Sequence, residues 1–156
     1  MYKKFIFIIV LFSLISHCGY TPLYLNKTNV NFSIISINFE GDKTINKFLK
    51  NNLNQFQKNI GDSKEFEIKV DTKYEKNILT KDKTAKTTNY ELLFNSVFEI
   101  SSKGKLIKVI KISEREIMDN INDDFEEAKN EAIAKQNFAS STSSKLSTEL
   151  SILNDN

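Results

Sequence analysis

A chain of 156 residues, 40% hydrophobic, with four glycines and one proline, has room for one compact core and little more. Its 22 basic and 20 acidic side chains nearly cancel, and no basic stripe, RNP-type aromatic motif or recognition-helix pattern is present. The electrostatic footprint of a nucleic-acid binder is therefore excluded. Cys18 is the sole cysteine, so no intramolecular disulfide is available and the fold must be held by its core.

Lys3 and Lys4 precede an apolar run from Phe5 to Ile15, which is followed by small or polar residues and then Cys18. This is the layout of a signal peptide over residues 1–17, because the run is far shorter than the roughly 20 residues that a membrane-crossing helix needs. Removing it takes away Lys3 and Lys4 and leaves the two charge signs balanced. Leu14-Ile15-Ser16-His17-Cys18 follows the lipobox pattern, with His17 where a small residue is usual. We expect the Cys18 thiol to be acylated, with residues 18–29 as a tether and 30–156 as a single domain. The competing expectations are an ordinary secretory signal with an incidental cysteine, or an uncleaved anchor. Several acyl chains hold a protein stably at a membrane, since each buried CH₂ contributes about 0.8 kcal/mol.

Phe32, Ile35, Ile37 and Phe39 nearly alternate with polar residues, which predicts a first strand with a bulge at Ile34/Ile35. Gly41-Asp42 marks a turn. Thr44 is the expected cap of a helix in which Ile45, Phe48, Leu49, Leu53, Phe56 and Ile60 recur at three- and four-residue spacing up to Gly61. The period then becomes two. Phe66, Ile68, Val70, Thr72 and Tyr74 share one strand face, and a polar loop with Lys81, Lys83 and Lys86 follows.

A third strand from about Thr87 to Ser101 places Tyr90, Leu92, Phe94, Phe98 and Ile100 together, and Ser101-Ser102-Lys103-Gly104-Lys105 is a hairpin connection to a fourth strand ending near Met118. From Asp124 to Leu153, Phe125, Ala128, Ala132, Ala139, Leu146, Leu150 and Leu153 form a helical stripe. The run Ser140 to Ser144 has poor helix propensity, so a break into two helices is the alternative there. The expected fold class is α+β: a four-stranded, mostly antiparallel sheet with two helices packed on one face, in the order β-α-β-β-β-α, behind the cleaved signal peptide. Leu93, Val97, Ile107 and Val109 would then point away from the helices as an apolar surface for a partner, unless the tether covers them.

Catalytic chemistry has little to stand on. Cleavage before Cys18 removes His17, the sole histidine, and acylation blocks the sole thiol, which takes away Cys/His metal sites and His-assisted nucleophiles. Neither a phosphate loop nor a nucleophile elbow occurs. Asp119, Asp123, Asp124, Glu126 and Glu127 are a candidate acid-base or metal cluster, but they lack EF-hand spacing and read as a loop followed by an acidic first helical turn. We expect no enzyme, no cofactor and no metal.

Three segments resemble the lipopolysaccharide-assembly lipoprotein family LptE in its alphaproteobacterial form. They are Cys18-Gly19-Tyr20-Thr21-Pro22-Leu23-Tyr24, then Ala85-Lys86-Thr87-Thr88-Asn89-Tyr90-Glu91-Leu92, then Ser113-Glu114-Arg115-Glu116-Ile117-Met118-Asp119-Asn120 ahead of an alanine-bearing helix. The resemblance implies a lipid-anchored, periplasm-facing outer-membrane lipoprotein that plugs the β-barrel LptD and helps deliver lipopolysaccharide to the outer leaflet. It also implies lipopolysaccharide contact at Lys86, which occupies the family's basic position. Lys81 and Lys83 add charge beside it, and Arg115 has the donor fork best suited to phosphate. Ordinary surface roles for the lysines, and a salt bridge from Arg115 to a neighbouring glutamate, are the competing assignments. Leu93, Val97, Ile107 and Val109 are the candidate barrel interface. A periplasm-facing lipoprotein that carries or binds lipid without a barrel is the alternative function.

Overall fold

The computed structural model describes residues 32–57 and 64–154. Strand β1 (Phe32–Gly41) leads into helix α1 (Lys43–Leu53) and a 3-10 turn (Asn54–Phe56). Three long strands follow, β2 (Lys64–Lys81), β3 (Thr87–Ser102) and β4 (Lys105–Asp119), and then helix α2 (Asp124–Asn154). The sheet order is β1-β2-β3-β4, parallel between β1 and β2 and antiparallel elsewhere. This is the expected α+β class. The parallel pair exists because α1 carries the chain back to the end of the sheet at which β1 began.

Alternation decides which faces are buried. Phe66, Ile68 and Val70 of β2 and Leu92, Phe94, Phe98 and Ile100 of β3 meet Ile45, Leu49 and Leu53 of α1 and Phe138, Ala139, Leu146 and Leu150 of α2 in one core. Within it Phe94 stacks on Phe138, with ring centroids 5.8 Å apart. The bulge foreseen in β1 falls where the register with β2 shifts between Ile34 and Ser36.

The junction from β1 to α1 is clamped onto β2. Gly41 has a φ of +92°, and a Cβ there would lie 1.9 Å from the Thr72 carbonyl oxygen, so only glycine fits. Around it the Asp42 amide donates to the Thr72 carbonyl at 3.1 Å and the Asn46 amide group donates to the Glu40 carbonyl at 2.9 Å. The Thr72 hydroxyl donates to Asn46 Oδ1 at 2.9 Å. Buried polar groups thus find partners where the apolar core ends.

Four expectations need correction. The N-cap of α1 is Asp42, whose carboxylate accepts from the Ile45 amide at 2.8 Å, and not Thr44, which lies inside the helix. Helix α1 stops at Leu53 and tightens into the 3-10 turn; Ile60 and Gly61 lie outside the described residues. Strand β2 continues past Tyr74 to Lys81, because pairing with β3 persists through Ile78 and Tyr90. Finally, α2 buries nothing before Ala134: Ala128 and Ala132 are exposed and Phe125 is 75% exposed.

Helix α2 is unbroken through Ser140 to Ser144. The Ser143 hydroxyl donates to the Ala139 carbonyl at 2.7 Å and, beyond the run, that of Thr148 to the Ser144 carbonyl at 3.1 Å. Thr142 and Lys145 also reach Glu114 of β4, at 3.3 and 3.0 Å. Tertiary partners therefore override weak propensity.

Candidate functional site

The long strands give the molecule two poles. One holds the start of β1, the β3–β4 hairpin and the C-terminal end of α2, where the Lys64 ammonium donates to the Leu153 carbonyl at 2.7 Å. The other, distal pole holds the β2–β3 turn, the end of β4 and the start of α2. Strand β1 reaches only as far as Thr72 on β2, so the rest of β2 is an edge. Lys73, Lys76 and Lys81 keep that edge charged, a common guard against unwanted strand pairing.

Lys81, Lys83 and Lys86 come together at the distal turn. The turn is organised by Asp82, whose carboxylate accepts from the Thr84 amide at 2.8 Å, the Thr84 hydroxyl at 2.6 Å and the Lys86 amide at 3.0 Å. The Thr84 hydroxyl, followed by the Lys86 amide, holds the Asp82 carboxyl below the usual carboxylate range. Ala85 takes a positive φ to close the loop. The Lys86 ammonium bonds to Asn122 across the mouth of the turn, and Asn120 donates to the Thr87 carbonyl at 2.7 Å. Three ammonium groups are thus presented on a stiffened tip.

Arg115 is not part of that group. It lies in the distal third of β4 opposite Leu93, about 20 Å from the turn at strand spacing, and its guanidinium is paired with Glu91. The acidic residues are dispersed as well. Asp123 caps α2 by accepting from the Phe125 and Glu126 amides at 2.9 and 3.1 Å, Asp119 accepts from Asn89 at 2.6 Å, and Glu126 pairs with Lys129. Among the described residues no cluster has the arrangement of a metal site.

Leu93, Val97, Ile107 and Val109 lie on the sheet face opposite the helices, since their neighbours Leu92, Phe94, Phe98 and Ile110 belong to or pack against the core. The patch is a lattice and not a continuous band. Leu93 stands between Glu75 and Arg115, Val97 between Asp71 and Lys111, and Val109 beside Glu99. Val97 and Val109 form one diagonal pair, and Leu93 and Ile117 another; Ile117 belongs to this surface but did not stand out from the alternation. Leu93 and Val97 are half-buried beneath the longer flanking chains, whereas Ile107 and Val109 are 40% and 45% exposed.

A second grouping escaped the sequence reading. Where α2 passes over the distal ribbon, the Lys76 ammonium lies between Glu127 at 2.8 Å and Glu131 at 3.0 Å, and 4.3 Å from the centre of the Tyr90 ring. Lys135 pairs with Glu131 at 2.9 Å and sits 4.2 Å from the centre of the Tyr74 ring. Burial by itself lowers the Lys76 ammonium and raises the Glu131 carboxyl. Their mutual hydrogen bonds, with those of Glu127 and Lys135, outweigh it, so Lys76 is held above and Glu131 below the ordinary range. Burial, with the Glu131 carboxylate beside it, pushes the Tyr74 phenol well up. The spacing of Glu127, Glu131 and Lys135 was the available signal, but it reads equally as a solvated helix face.

Cys18, the signal segment 1–17 and the tether 18–29 lie outside the described residues. No helix among the described residues is long and apolar enough to cross a membrane.

No family model matches the chain, and no curated protein matches it by sequence. Solved structures do share its fold. The rare lipoprotein B from Shewanella oneidensis superposes with a TM-score of 0.53 at 14% identity, covering 75% of this chain and 98% of that one. A minor lipoprotein from Acinetobacter baumannii gives 0.55 at 13% identity, covering 78% and 93%. Lipoprotein B from Nitrosomonas europaea gives 0.53 at 13% identity, covering 80% and 85%. The chain has the α+β fold of these bacterial lipoproteins.

Proposed function

We propose that this protein is a lipid-anchored outer-membrane lipoprotein that plugs the partner β-barrel LptD and assists delivery of lipopolysaccharide, without catalytic activity of its own. The carrying observation is a fold in common with rare lipoprotein B, behind a segment, Cys18 to Tyr24, that has the acylation cysteine of a lipoprotein start. Acyl chains on Cys18 hold the domain at the membrane. The stiffened turn with Lys81, Lys83 and Lys86 supplies ammonium groups for lipid phosphate, with Arg115 as a separate phosphate donor on the sheet face. Leu93, Val97, Ile107 and Val109 form the surface toward the barrel.

Capture from native membranes tests this reading. A large integral β-barrel should come down in stoichiometric amount, and its absence while lipid copurifies would favour a carrier acting alone. Cys18→Ala should release the domain from the outer membrane and abolish palmitate labelling. The pair Leu93→Asp and Val109→Asp should weaken recovery of the barrel while the isolated domain stays folded; undiminished recovery would remove this face from the interface.

A further inference from the structure

The residues from Ile100 to Ser113 contain four lysines and no acidic side chain, an uneven distribution in a chain whose basic and acidic residues nearly cancel as a whole. The structure places this stretch at the β3–β4 hairpin. Lys103 and Gly104 have φ of +52° and +74°, a two-residue turn with both central residues left-handed, so the hairpin ends sharply. Leu106 is 55% exposed beside the exposed Lys103 and Lys105. Lys108 is paired with Glu149 at 2.6 Å, whereas Lys103, Lys105 and Lys111 form no ion pair among the described residues.

The location gives this end its meaning. The chain enters β1 at Phe32 on the same pole, so an anchor on Cys18 joins the domain at this pole and not at the distal turn. The last turn of α2 also ends there, held by the Lys108–Glu149 and Lys64–Leu153 bonds, and leaves Ile152 half exposed. Resting on the acyl-anchor reading, we propose that the β3–β4 hairpin end is a membrane-docking surface: Lys103 and Lys105 engage anionic phospholipid headgroups and Leu106 enters the interface between them. Free ammonium groups beside an exposed apolar side chain match the requirements of such a surface, in which charge attracts and buried apolar area retains. Docking would fix which way the tethered domain faces, directing the Lys81, Lys83 and Lys86 turn away from the leaflet that holds the acyl chains.

The test uses the full acylated chain in vesicles, with a spin label on Leu106→Cys or, as the distal control, on Lys83→Cys. Acylation of Cys18 leaves the introduced thiol as the sole free one. In vesicles of phosphatidylethanolamine and phosphatidylglycerol, the label at position 106 should be reached by oxygen and shielded from a water-soluble relaxant, and the label at 83 should stay in water. Lys103→Asn with Lys105→Gln preserves the turn and should lower the docked-to-free ratio by roughly 25-fold, at about fivefold per lysine. Zwitterionic phosphatidylcholine vesicles should lower it similarly. A label at 106 that stays in water while the protein floats with the vesicles overturns the docking surface but leaves the anchor standing. Shielding that is indifferent to both lysines and lipid charge also overturns it. A chain that carries no palmitate and does not float overturns the anchor reading and this proposal with it.

Discussion

The half of the molecule nearest β1 and the distal half are held together by different forces. Near β1, two helices close over the sheet, and Phe66, Phe98, Leu49, Leu146 and their neighbours are buried completely. Distally, β1 and α1 are absent, and the first turns of α2 lie on the β2–β3–β4 ribbon through Lys76, Glu127, Glu131, Lys135 and two tyrosine rings. Burying a large apolar side chain contributes about 1.5–3 kcal/mol, while a partly exposed ion pair contributes about 1 kcal/mol or less. The distal half is therefore the part that opens first, and the basic turn it carries is mounted on the less stable end.

Removing core volume should separate the halves most. Phe98→Ala deletes a fully buried ring opposite Val70, within the part of the sheet that β1 borders, and should cost about 3–5 kcal/mol in denaturant unfolding. A loss below about 1 kcal/mol would mean that the two halves do not differ as described. Gly41→Ala forces a Cβ against the Thr72 carbonyl at a left-handed φ and should cost about 2–4 kcal/mol, with loosened β1 amides in hydrogen exchange.

Lys76→Met tests the distal half. It strips Glu127 of its cation and should cost about 1–2 kcal/mol, with faster exchange confined to residues 124–133. Equal acceleration across 138–150 would show the helix to be one cooperative unit.

Acid should act on the same segment. The Glu131 carboxyl is depressed in the fold, so its contribution is complete above the ordinary carboxyl value of 4.5 and is lost as pH falls through the depressed one. The raised Lys76 contributes below 10.5 and is lost as pH climbs through its raised value. Once intrinsic rates are corrected for, protection of 124–133 should fall more than that of 138–150 between about pH 7 and about pH 3. The smallest effect is expected at Arg115→Gln. Its partner Glu91 is on an open face, and the change should move stability by no more than about 0.5 kcal/mol, leaving any larger phenotype to ligand or partner contact.

By itself the sequence determined the element order, the bulge in β1, the inward faces of β2 and β3 and the hairpin at Lys103-Gly104, because each is written in local periodicity or turn chemistry. It misplaced the apolar face of the first turns of the terminal helix, while Ala139, Leu146 and Leu150 are in the core as read. Phe125, Ala128 and Ala132 look like a core stripe, yet the surface beneath that part of α2 offers Lys76 and two tyrosines, and the helix turns Glu127 and Glu131 toward them. Periodicity reports which side chains share a face but not what that face will meet. Equally beyond it were the separation of Arg115 from the distal lysines and the seating of Leu93 between Glu75 and Arg115 and of Val97 between Asp71 and Lys111. Both depend on cross-strand register, and only the assembled sheet fixes which residues of distant strands stand side by side.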